Sequence, residues 1–303
     1  MINNSKLILG GAQFGMSYGS SSKSKKIDFK ALSKILTIAH KKKINAIDTA
    51  SAYGVSEKRV GDYLSNNIKK KFKIYTKIPK INNIEKKSKK KIHSIILKSV
   101  DNSLNFLNVK YLEGLAVHNV SDFLKKKKIY LDCINFLKKE KIIRNFGISI
   151  YTPAELKKIA RIKEITFIQM PINILDNRWD KNYLIKLKKK GIKIFARSIF
   201  LRGLLFFKKN QKWPCSKFEQ NKIKIYIKQI TKKYYKKNII DLTFSYLNSL
   251  TFLSGIVFGF NSIKQFKQIN SFKDSKKLDI NQNTFLINQF KFVNKKILDG
   301  RNY

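Results

Sequence analysis

Residues 44–61 have the sequence INAIDTASAYGVSEKRVG, and this stretch indicates both a fold and a chemistry. Its short apolar run, Asn45–Ala50, carries a carboxylate near its end at Asp48, and Tyr53 follows five residues later. The run predicts a buried strand, and the charged segment after Tyr53 predicts a helix. Because a carboxylate at the end of a core strand needs a polar partner, we expect Asp48 to belong to a polar site at this strand end.

The same alternation of short apolar runs and longer amphipathic segments continues along the whole chain. The predicted strands are Leu7–Ala12, Asn45–Ala50, Lys73–Ile78, Leu112–His118, Asn145–Ile150, Phe167–Ile172, Lys193–Ser198 and Gly255–Phe260. Helical patterns lie between them, such as FKALSKILTIAHKKK and PAELKKIARI, whose proline follows a threonine as in a capped helix. Strands that alternate with helices predict βαβ units and a parallel sheet.

Eight such units predict an α/β fold of the (β/α)8 TIM-barrel type, for which about 250 residues is typical. The chain has 303 residues, of which 43% are hydrophobic, enough for one barrel or for two smaller domains. No Ser/Gly-rich linker divides it, so we expect a single domain over residues 1–303. A doubly wound open sheet is the alternative, but no GxGxxG motif follows the first predicted strand and eight strands exceed its usual number.

Several classes of protein do not fit the sequence. We find no signal-peptide pattern, and no uncharged run approaches the roughly 18–20 residues that span a membrane. Cys133 and Cys215 lack the spacing of a disulfide scaffold or a zinc site. We therefore expect a protein of the reducing cytoplasm, with no membrane partner and no metal site.

The charge of the chain is extreme but diffuse. Lysine and arginine total 65 against 19 acidic residues, a formal net charge of +46, yet only seven of the cations are arginine. A surface that binds nucleic acid usually shows arginine, interleaved aromatic residues and a focused patch. We therefore interpret the lysines as solvated helix faces, with no specific nucleic-acid partner. The alternative is a nucleic-acid-binding protein. A gel shift that persists at physiological salt would support it, whereas binding that salt abolishes would reflect only the lysine charge. Repulsion among so many cations favours a monomer.

Four polar residues should meet at one end of the predicted barrel, where the carboxyl ends of the strands form the active face. Asp48, Lys77 and His118 lie at the ends of successive strands, and Tyr53 lies in the loop after the second strand. A free phenol has a pKa of about 10. We expect the neighbouring ammonium to lower that pKa and the carboxylate to hold the ammonium in place. The set predicts a donor that protonates a carbonyl oxygen, oriented by the imidazole, while hydride reaches the carbon.

The chain resembles the aldo-keto reductases, which are NAD(P)H-dependent (β/α)8 barrels, through motifs in family order over nearly its whole length. The motifs are INAIDTASAYGVSEKRVG, YTKIPK, LAVHN, FGISIYTPAEL, IQMPINILDNR, ARSIFLRGLL and GFNSIKQF. LGGAQFGMSYG and RSIFLRGLL are similar to a bacterial branch met among polysaccharide and sugar-modification enzymes. The resemblance implies that Asp48, Tyr53, Lys77 and His118 are catalytic, with Tyr53 as the general acid in the reduction of an aldehyde or ketone, such as a sugar derivative, to an alcohol.

The resemblance also implies where the nicotinamide end of a cofactor would bind. It places Ser149 and Gln169 on the carboxamide, and Arg197 and Ser198 beside the nicotinamide ring. Ile150 stands where the family usually has asparagine, and Arg197 stands where it usually has an aromatic residue. A guanidinium can lie flat on a ring but opposes the positive oxidised ring. We therefore expect weaker retention of the oxidised cofactor.

The motif GFNSIKQF is expected to bind the adenosine-phosphate end. Its residues Gly259, Phe260, Asn261, Lys264 and Gln265 open a predicted helix, and helix N-termini suit phosphate. Asn261 replaces the usual basic residue for the 2′-phosphate, and Lys264 is a substitute for that charge. NADPH is therefore favoured, while NADH stays open.

The substrate is a small carbonyl compound whose identity the sequence leaves open. Tyr18, Trp179 and Arg202 are the predicted pocket residues, and packing explains Trp179 equally well. Arg197 together with Arg202 would suit an anionic sugar or a carboxylate. The alternative function is a redox-inactive, cofactor-binding regulatory or interaction module of the same fold. The intact set of four polar residues disfavours it.

Overall fold

Eight parallel strands close into a barrel in a computed structural model that describes residues 3–19, 25–67, 71–207 and 211–302. The strands are β1 (Leu7–Gly10), β2 (Ala46–Asp48), β3 (Lys73–Ile78), β4 (Leu112–Val117), β5 (Ile143–Ser149), β6 (Phe167–Pro171), β7 (Lys193–Arg197) and β8 (Leu253–Phe258). Each strand pairs with the next along the chain, and β8 pairs back with β1 from Leu7–Ile256 to Leu9–Phe258. The predicted α/β fold, a (β/α)8 TIM barrel, is confirmed.

Helices surround the barrel and connect its strands. In the described residues they are α1 (Ala12–Gly15), α2 (Phe29–Lys41), α3 (Ser56–Ser65), α4 (Lys89–Leu107), α5 (Val120–Lys125), α6 (Lys127–Lys139), α7 (Pro153–Ile159), α8 (Lys181–Lys189), α9 (Lys217–Lys233), α10 (Ile239–Ser249), α11 (Ile263–Ser271), α12 (Ile280–Gln289) and α13 (Lys295–Leu298). Short 3-10 turns span Asn4–Lys6, Ile84–Lys86, Leu201–Phe206 and Gly300–Asn302.

The helices pack through one apolar face each. In α2 the buried residues Leu32, Ile35, Leu36 and Ala39 recur at helical spacing, while the lysines between them face outward. The predicted cap of α7 is present: Thr152 and Glu155 form a capping box. No helix in the described part of the chain has the length and apolar character needed to cross a bilayer.

The inside of the barrel is filled by three aromatic rings. Tyr75, Phe167 and Phe195 pack against one another with ring centroids 5.3 to 5.5 Å apart. Glycines on adjacent strands make room for them, because a Cβ at Gly147 would lie 2.5 Å from the Phe167 ring and one at Gly114 would lie 2.4 Å from the Tyr75 ring. The packed rings fill the barrel interior below the carboxyl ends of the strands. The polar groups lie above them, at those strand ends.

All eight predicted strands exist, but most end one or two residues earlier than predicted. His118, Ile150 and Ser198 lie just past β4, β5 and β7, and Gly259 and Phe260 lie past β8. Apart from the exposed Gly259, these residues stay partly or fully buried after they leave the strand pairing, so hydrophobicity alone does not mark the boundary. The strand ends therefore lead directly into short rim segments.

Candidate active site

A cavity of about 540 Å³ opens at the carboxyl ends of the strands. Residues at or just past the ends of seven strands contribute to its wall, from Gly10 at the end of β1 to Gly259 after β8. The four predicted polar residues all line it: Asp48, Tyr53, Lys77 and His118. The parallel barrel thus brings together residues that are far apart in the sequence.

Asp48 and Lys77 form a buried ion pair on the neighbouring strands β2 and β3. The Lys77 Nζ lies 2.7 Å from the Asp48 Oδ2, and the two residues are only 2% and 4% exposed. The same ammonium donates to the Thr49 carbonyl at 2.8 Å, and the Gln169 amide donates to the second Asp48 oxygen at 2.5 Å. Both charges are therefore compensated by hydrogen bonds, as buried charges must be.

Tyr53 and His118 present their rings to the same cavity. The rings meet edge to face with centroids 5.8 Å apart, and the Lys77 Nζ lies 5.0 Å from the centre of the Tyr53 ring. Among the described residues, no hydrogen bond engages the Tyr53 hydroxyl. The phenolic proton is therefore not committed to a protein acceptor.

The pKa shifts differ from the predicted pattern. Burial and the nearby Asp48 carboxylate raise the pKa of Tyr53 well above its usual value, although Arg197 opposes the shift. The predicted lowering is wrong for this structure, because burial and the Asp48 carboxylate outweigh the opposing cation. The Lys77 ammonium donates to Asp48 and Thr49 and faces the Tyr53 ring. Burial also lowers the pKa of Lys77, against the pull of Asp48.

The imidazole of His118 is neutral at physiological pH. Burial, followed by the positive charges of Lys77 and Arg197, lowers the pKa of His118 to about 3. A neutral imidazole carries one N–H donor and one acceptor. His118 can therefore donate a hydrogen bond to a carbonyl oxygen in the cavity without bringing a charge.

The loop that carries Tyr53 is fixed from both sides. The Ser56 hydroxyl donates to the Gly11 carbonyl at 2.9 Å and lies 2.9 Å from the Thr49 hydroxyl. On the other side, Gly15 packs so closely that a Cβ there would lie 1.9 Å from the Tyr53 carbonyl oxygen. The position of the phenol therefore depends on the segment that follows β1.

Ser149 and Gln169 fit a carboxamide ligand. Ser149 ends β5 and lines the cavity, and its hydroxyl forms no hydrogen bond within the described ranges. Gln169 ends in an amide whose NH2 group is used by Asp48, and its buried Oε1 has no hydrogen-bond partner among the described residues. One unused hydroxyl and one unused carbonyl suit an amide that both donates and accepts, but only Ser149 lines the cavity, since Gln169 is 1% exposed and is not part of the cavity wall.

The start of α11 contributes three of the five residues predicted for the adenosine-phosphate end. Gly259, Asn261 and Gln265 line the cavity, and the Gln265 side chain accepts from the Asn261 N–H at 2.7 Å. Phe260 is fully buried in an aromatic cluster, and its side chain does not line the cavity. Lys264 is exposed and outside the cavity wall. The helix N-terminus is the part of this motif that faces the cavity.

Arg197 and Ser198 both line the cavity at the end of β7. The Arg197 guanidinium lies 4.1 Å from the centre of the Tyr151 ring and donates to the Ile150 carbonyl at 2.9 Å and to the Ser198 hydroxyl at 3.3 Å. The Ile150 side chain is fully buried. Ile150 and Arg197, which both differ from the family pattern, are therefore in contact through a hydrogen bond from the Arg197 guanidinium to the Ile150 backbone.

Two of the three predicted substrate-pocket residues line the cavity. Tyr18 and Arg202 do so, and the Arg202 guanidinium lies 4.5 Å from the centre of the Tyr18 ring. Trp179 does not: it is 8% exposed, and its indole N–H donates to Asp176. The pocket prediction for Trp179 is wrong, and the packing alternative holds because its polar atom already has a buried partner.

The sequence-based prediction missed several residues of the cavity wall, among them Tyr151 and Arg301. The Tyr151 ring lies between the guanidinium groups of Arg197 and Arg301, the latter at 4.4 Å. Arg301 pairs with Glu155 and Asp299 near the C-terminus. Tyr151 could have been found from its place directly after β5, whereas no sequence pattern marks Arg301.

No three acidic, histidine or cysteine side chains in the described residues are grouped so that they could hold a metal ion.

Comparison with known proteins places the geometry in context. The model of the Aldo/keto reductase family matches residues 6–285. Among solved structures, the aldo-keto reductase AKR11C1 from Bacillus halodurans in its holo form is similar with a TM-score of 0.72 and 21% identity, over 95% of this chain and 93% of that one. A putative aldo-keto reductase from Pseudomonas aeruginosa, PA4992, has a TM-score of 0.63 and 19% identity, over 88% and 89%. No curated protein matches the sequence.

Proposed function

Because this chain belongs to the aldo/keto reductase family of oxidoreductases, we propose that it reduces an aldehyde or ketone to an alcohol with NADPH, using Tyr53 as the general acid. The observation that carries the proposal is the cavity arrangement. It holds an uncommitted phenol, a neutral imidazole and a buried Lys77–Asp48 pair. The bound nicotinamide would supply hydride to the carbonyl carbon.

Tyr53 would then donate its hydroxyl proton to the carbonyl oxygen. The alkoxide that forms as hydride arrives is far more basic than a phenolate, so the transfer is downhill even for a phenol with a raised pKa. The resulting phenolate would be stabilised by the Lys77 ammonium, which lies close to its ring. Asp48 keeps that ammonium charged and in place.

His118 would position the substrate. Its low pKa keeps it neutral near pH 7, so it can donate one hydrogen bond to the carbonyl oxygen. Its edge-to-face packing on the Tyr53 ring fixes both side chains relative to each other. Two donors from different strands would thus meet at one oxygen.

The cofactor assignment rests on the opposite side of the cavity. Ser149 and Gln169 would hold the carboxamide of the nicotinamide, and the N-terminus of α11 would hold a phosphate. Lys264 lies in the first turn of α11, where its flexible side chain would be available to a 2′-phosphate. We propose NADPH over NADH on this basis, in a cytoplasmic monomer that acts on a carbonyl compound such as a sugar derivative.

The proposal is tested by stopped-flow measurement of NADPH oxidation with a panel of aldehydes and ketones. We expect Tyr53→Phe to lower the rate of hydride transfer about 10²- to 10⁴-fold, the usual contribution of a general acid. Tyr235→Phe is the matched control, because Tyr235 is 96% exposed. Cofactor binding is followed in parallel by fluorescence.

Two results would count against this function. A full rate in Tyr53→Phe would remove the phenol from the chemistry. Tight NADPH binding with no hydride transfer to any carbonyl would instead favour the redox-inactive cofactor-binding module.

A further inference from the structure

The cationic residues of the cavity differ from those of the rest of the chain. The chain has seven arginines among its 65 basic residues. Yet the described residues that line the cavity include three arginines, Arg197, Arg202 and Arg301, and one lysine, Lys77. A compositional bias toward lysine does not account for this selection. Arginine presents a planar fork of donors that matches a carboxylate, which a lysine does not.

The charges of the four predicted catalytic groups cancel, and Arg197 beside them adds a positive charge. Asp48 and Lys77 neutralise each other at 2.7 Å, and His118 is uncharged near neutral pH. Tyr53 holds its proton, since its pKa is raised. Arg197 therefore leaves this group with a net charge of +1, and its positive charge is felt by Tyr53, Lys77 and His118.

Arg197 has no carboxylate partner among the described residues. Its protein acceptors there are the Ile150 carbonyl and the Ser198 hydroxyl, both uncharged, and they use two of its five N–H groups. By contrast, Arg301 pairs with Glu155 and Asp299. A half-buried guanidinium without a counter-charge favours an anionic ligand, because removal of charge from water is costly unless it is paired.

The guanidinium is also held in place before any ligand arrives. It stacks on the Tyr151 ring at 4.1 Å and donates a hydrogen bond to the backbone carbonyl of Ile150, just past β5. A preorganised cation loses little conformational entropy when it binds an anion. This favours specific recognition over general attraction to the lysine-rich surface.

We propose that the substrate of this enzyme is a carbonyl compound that bears a carboxylate, and that Arg197 binds that carboxylate while Tyr53 and His118 face the carbonyl oxygen. The inference rests on the proposed function and specifies its substrate class. Arg202 adds a second positive charge to the same wall, whereas the charge of Arg301 is compensated by Glu155 and Asp299. The alternative partner for Arg197 is the cofactor, whose nicotinamide ring is expected beside this residue, and the experiment separates the two.

The first measurement compares kcat/KM for two aldehydes of the same shape, 4-carboxybenzaldehyde and 4-carbamoylbenzaldehyde, at saturating NADPH. We expect the wild-type protein to prefer the anionic aldehyde about 10- to 100-fold, as for a charge-assisted hydrogen-bonded pair. Arg197→Gln should abolish this preference, and Arg197→Lys should retain part of it. Arg161→Gln is the matched control, since Arg161 is exposed and does not line the cavity.

The second measurement is independent of turnover and uses titration calorimetry with 4-methylbenzoate and its neutral amide. Preferential binding of the anion that Arg197→Gln removes supports the inference, even if no aldehyde is reduced and the proposed function fails. Equal kcat/KM for the two aldehydes overturns the inference and leaves carbonyl reduction standing. A loss in Arg197→Gln that is equal for both aldehydes and appears in the KM for NADPH also overturns it, because Arg197 would then serve the cofactor.

Discussion

Removal of the Lys77 ammonium should destabilise the protein strongly, and removal of both members of its ion pair should not. In Lys77→Met the Asp48 carboxylate keeps the Gln169 hydrogen bond but loses a cation at 2.7 Å, in a site where Asp48 is 4% exposed. An uncompensated buried charge of this kind costs about 3–5 kcal/mol. The Thr49 carbonyl also loses its donor, which adds about 1–3 kcal/mol when such a group stays unsatisfied.

The double variant Asp48→Asn/Lys77→Met removes both charges. We expect it to recover most of the roughly 3–5 kcal/mol that the single variant loses. A buried ion pair contributes little net stability, so its replacement by two neutral side chains of similar volume should change the free energy of unfolding little. The free energy of unfolding is measured by urea denaturation for the wild type, both single variants and the double variant. Carbonyl reduction should stay lost in the double variant, which separates the stability of the pair from its role beside Tyr53.

The surface pair Lys58–Asp62 is the matched control. Its atoms lie 3.4 Å apart on α3, and its side chains are 62% and 45% exposed. Lys58→Met should change the free energy of unfolding by no more than about 0.5 kcal/mol. The reasoning is refuted if Lys77→Met is as mild as Lys58→Met, or if the effects of Lys77→Met and Asp48→Asn simply add in the double variant.

Three further outcomes are expected. Gly147→Ala should lower the free energy of unfolding by about 1–3 kcal/mol, because its Cβ would lie 2.5 Å from the Phe167 ring, and Phe167→Leu should recover part of the loss in urea denaturation; additive losses would contradict this. Gly15→Ala should lower kcat, because its Cβ would displace the Tyr53 carbonyl and with it the phenol, and an unchanged kcat would contradict this packing. Since the folded pKa of His118 is about 3 and its unfolded value is 6.5, the unfolded state binds more protons between these values, so stability falls as pH falls from about 6.5. From pH 7 to pH 5 the wild type should lose about 2 kcal/mol more than His118→Gln, at about 1.4 kcal/mol per pH unit, and equal losses would contradict a neutral buried imidazole.

The sequence predicted the existence and order of the strands correctly, but it did not predict where most of them end. Short apolar runs separated by lysine-rich amphipathic segments predicted all eight strands, because the strands of a closed parallel sheet are buried on both faces. Their ends were missed because Ile150 and Phe260 stay buried after they leave the pairing. Local hydrophobicity records burial, and it does not record hydrogen bonding between strands.

The sequence predicted only part of the cavity. His118 was distinctive because the chain has only three histidines, whereas a lysine at position 77 carries little information in a lysine-rich chain. The direction of the Tyr53 pKa shift was predicted wrongly, since its largest cause is the burial of the phenol, which the sequence does not show. Arg301 was missed because its place beside Tyr151 is set by contacts to Glu155 and Asp299 across the fold.

The transfer of label from the cofactor is the most direct test of the central proposal. NADPH that carries deuterium at the reactive ring carbon is incubated with the protein and an aldehyde, and the alcohol is analysed by mass spectrometry. The proposed chemistry predicts one deuterium on the former carbonyl carbon, at a rate that falls sharply in Tyr53→Phe. An alcohol without deuterium, or no alcohol at all while NADPH is bound, would contradict it.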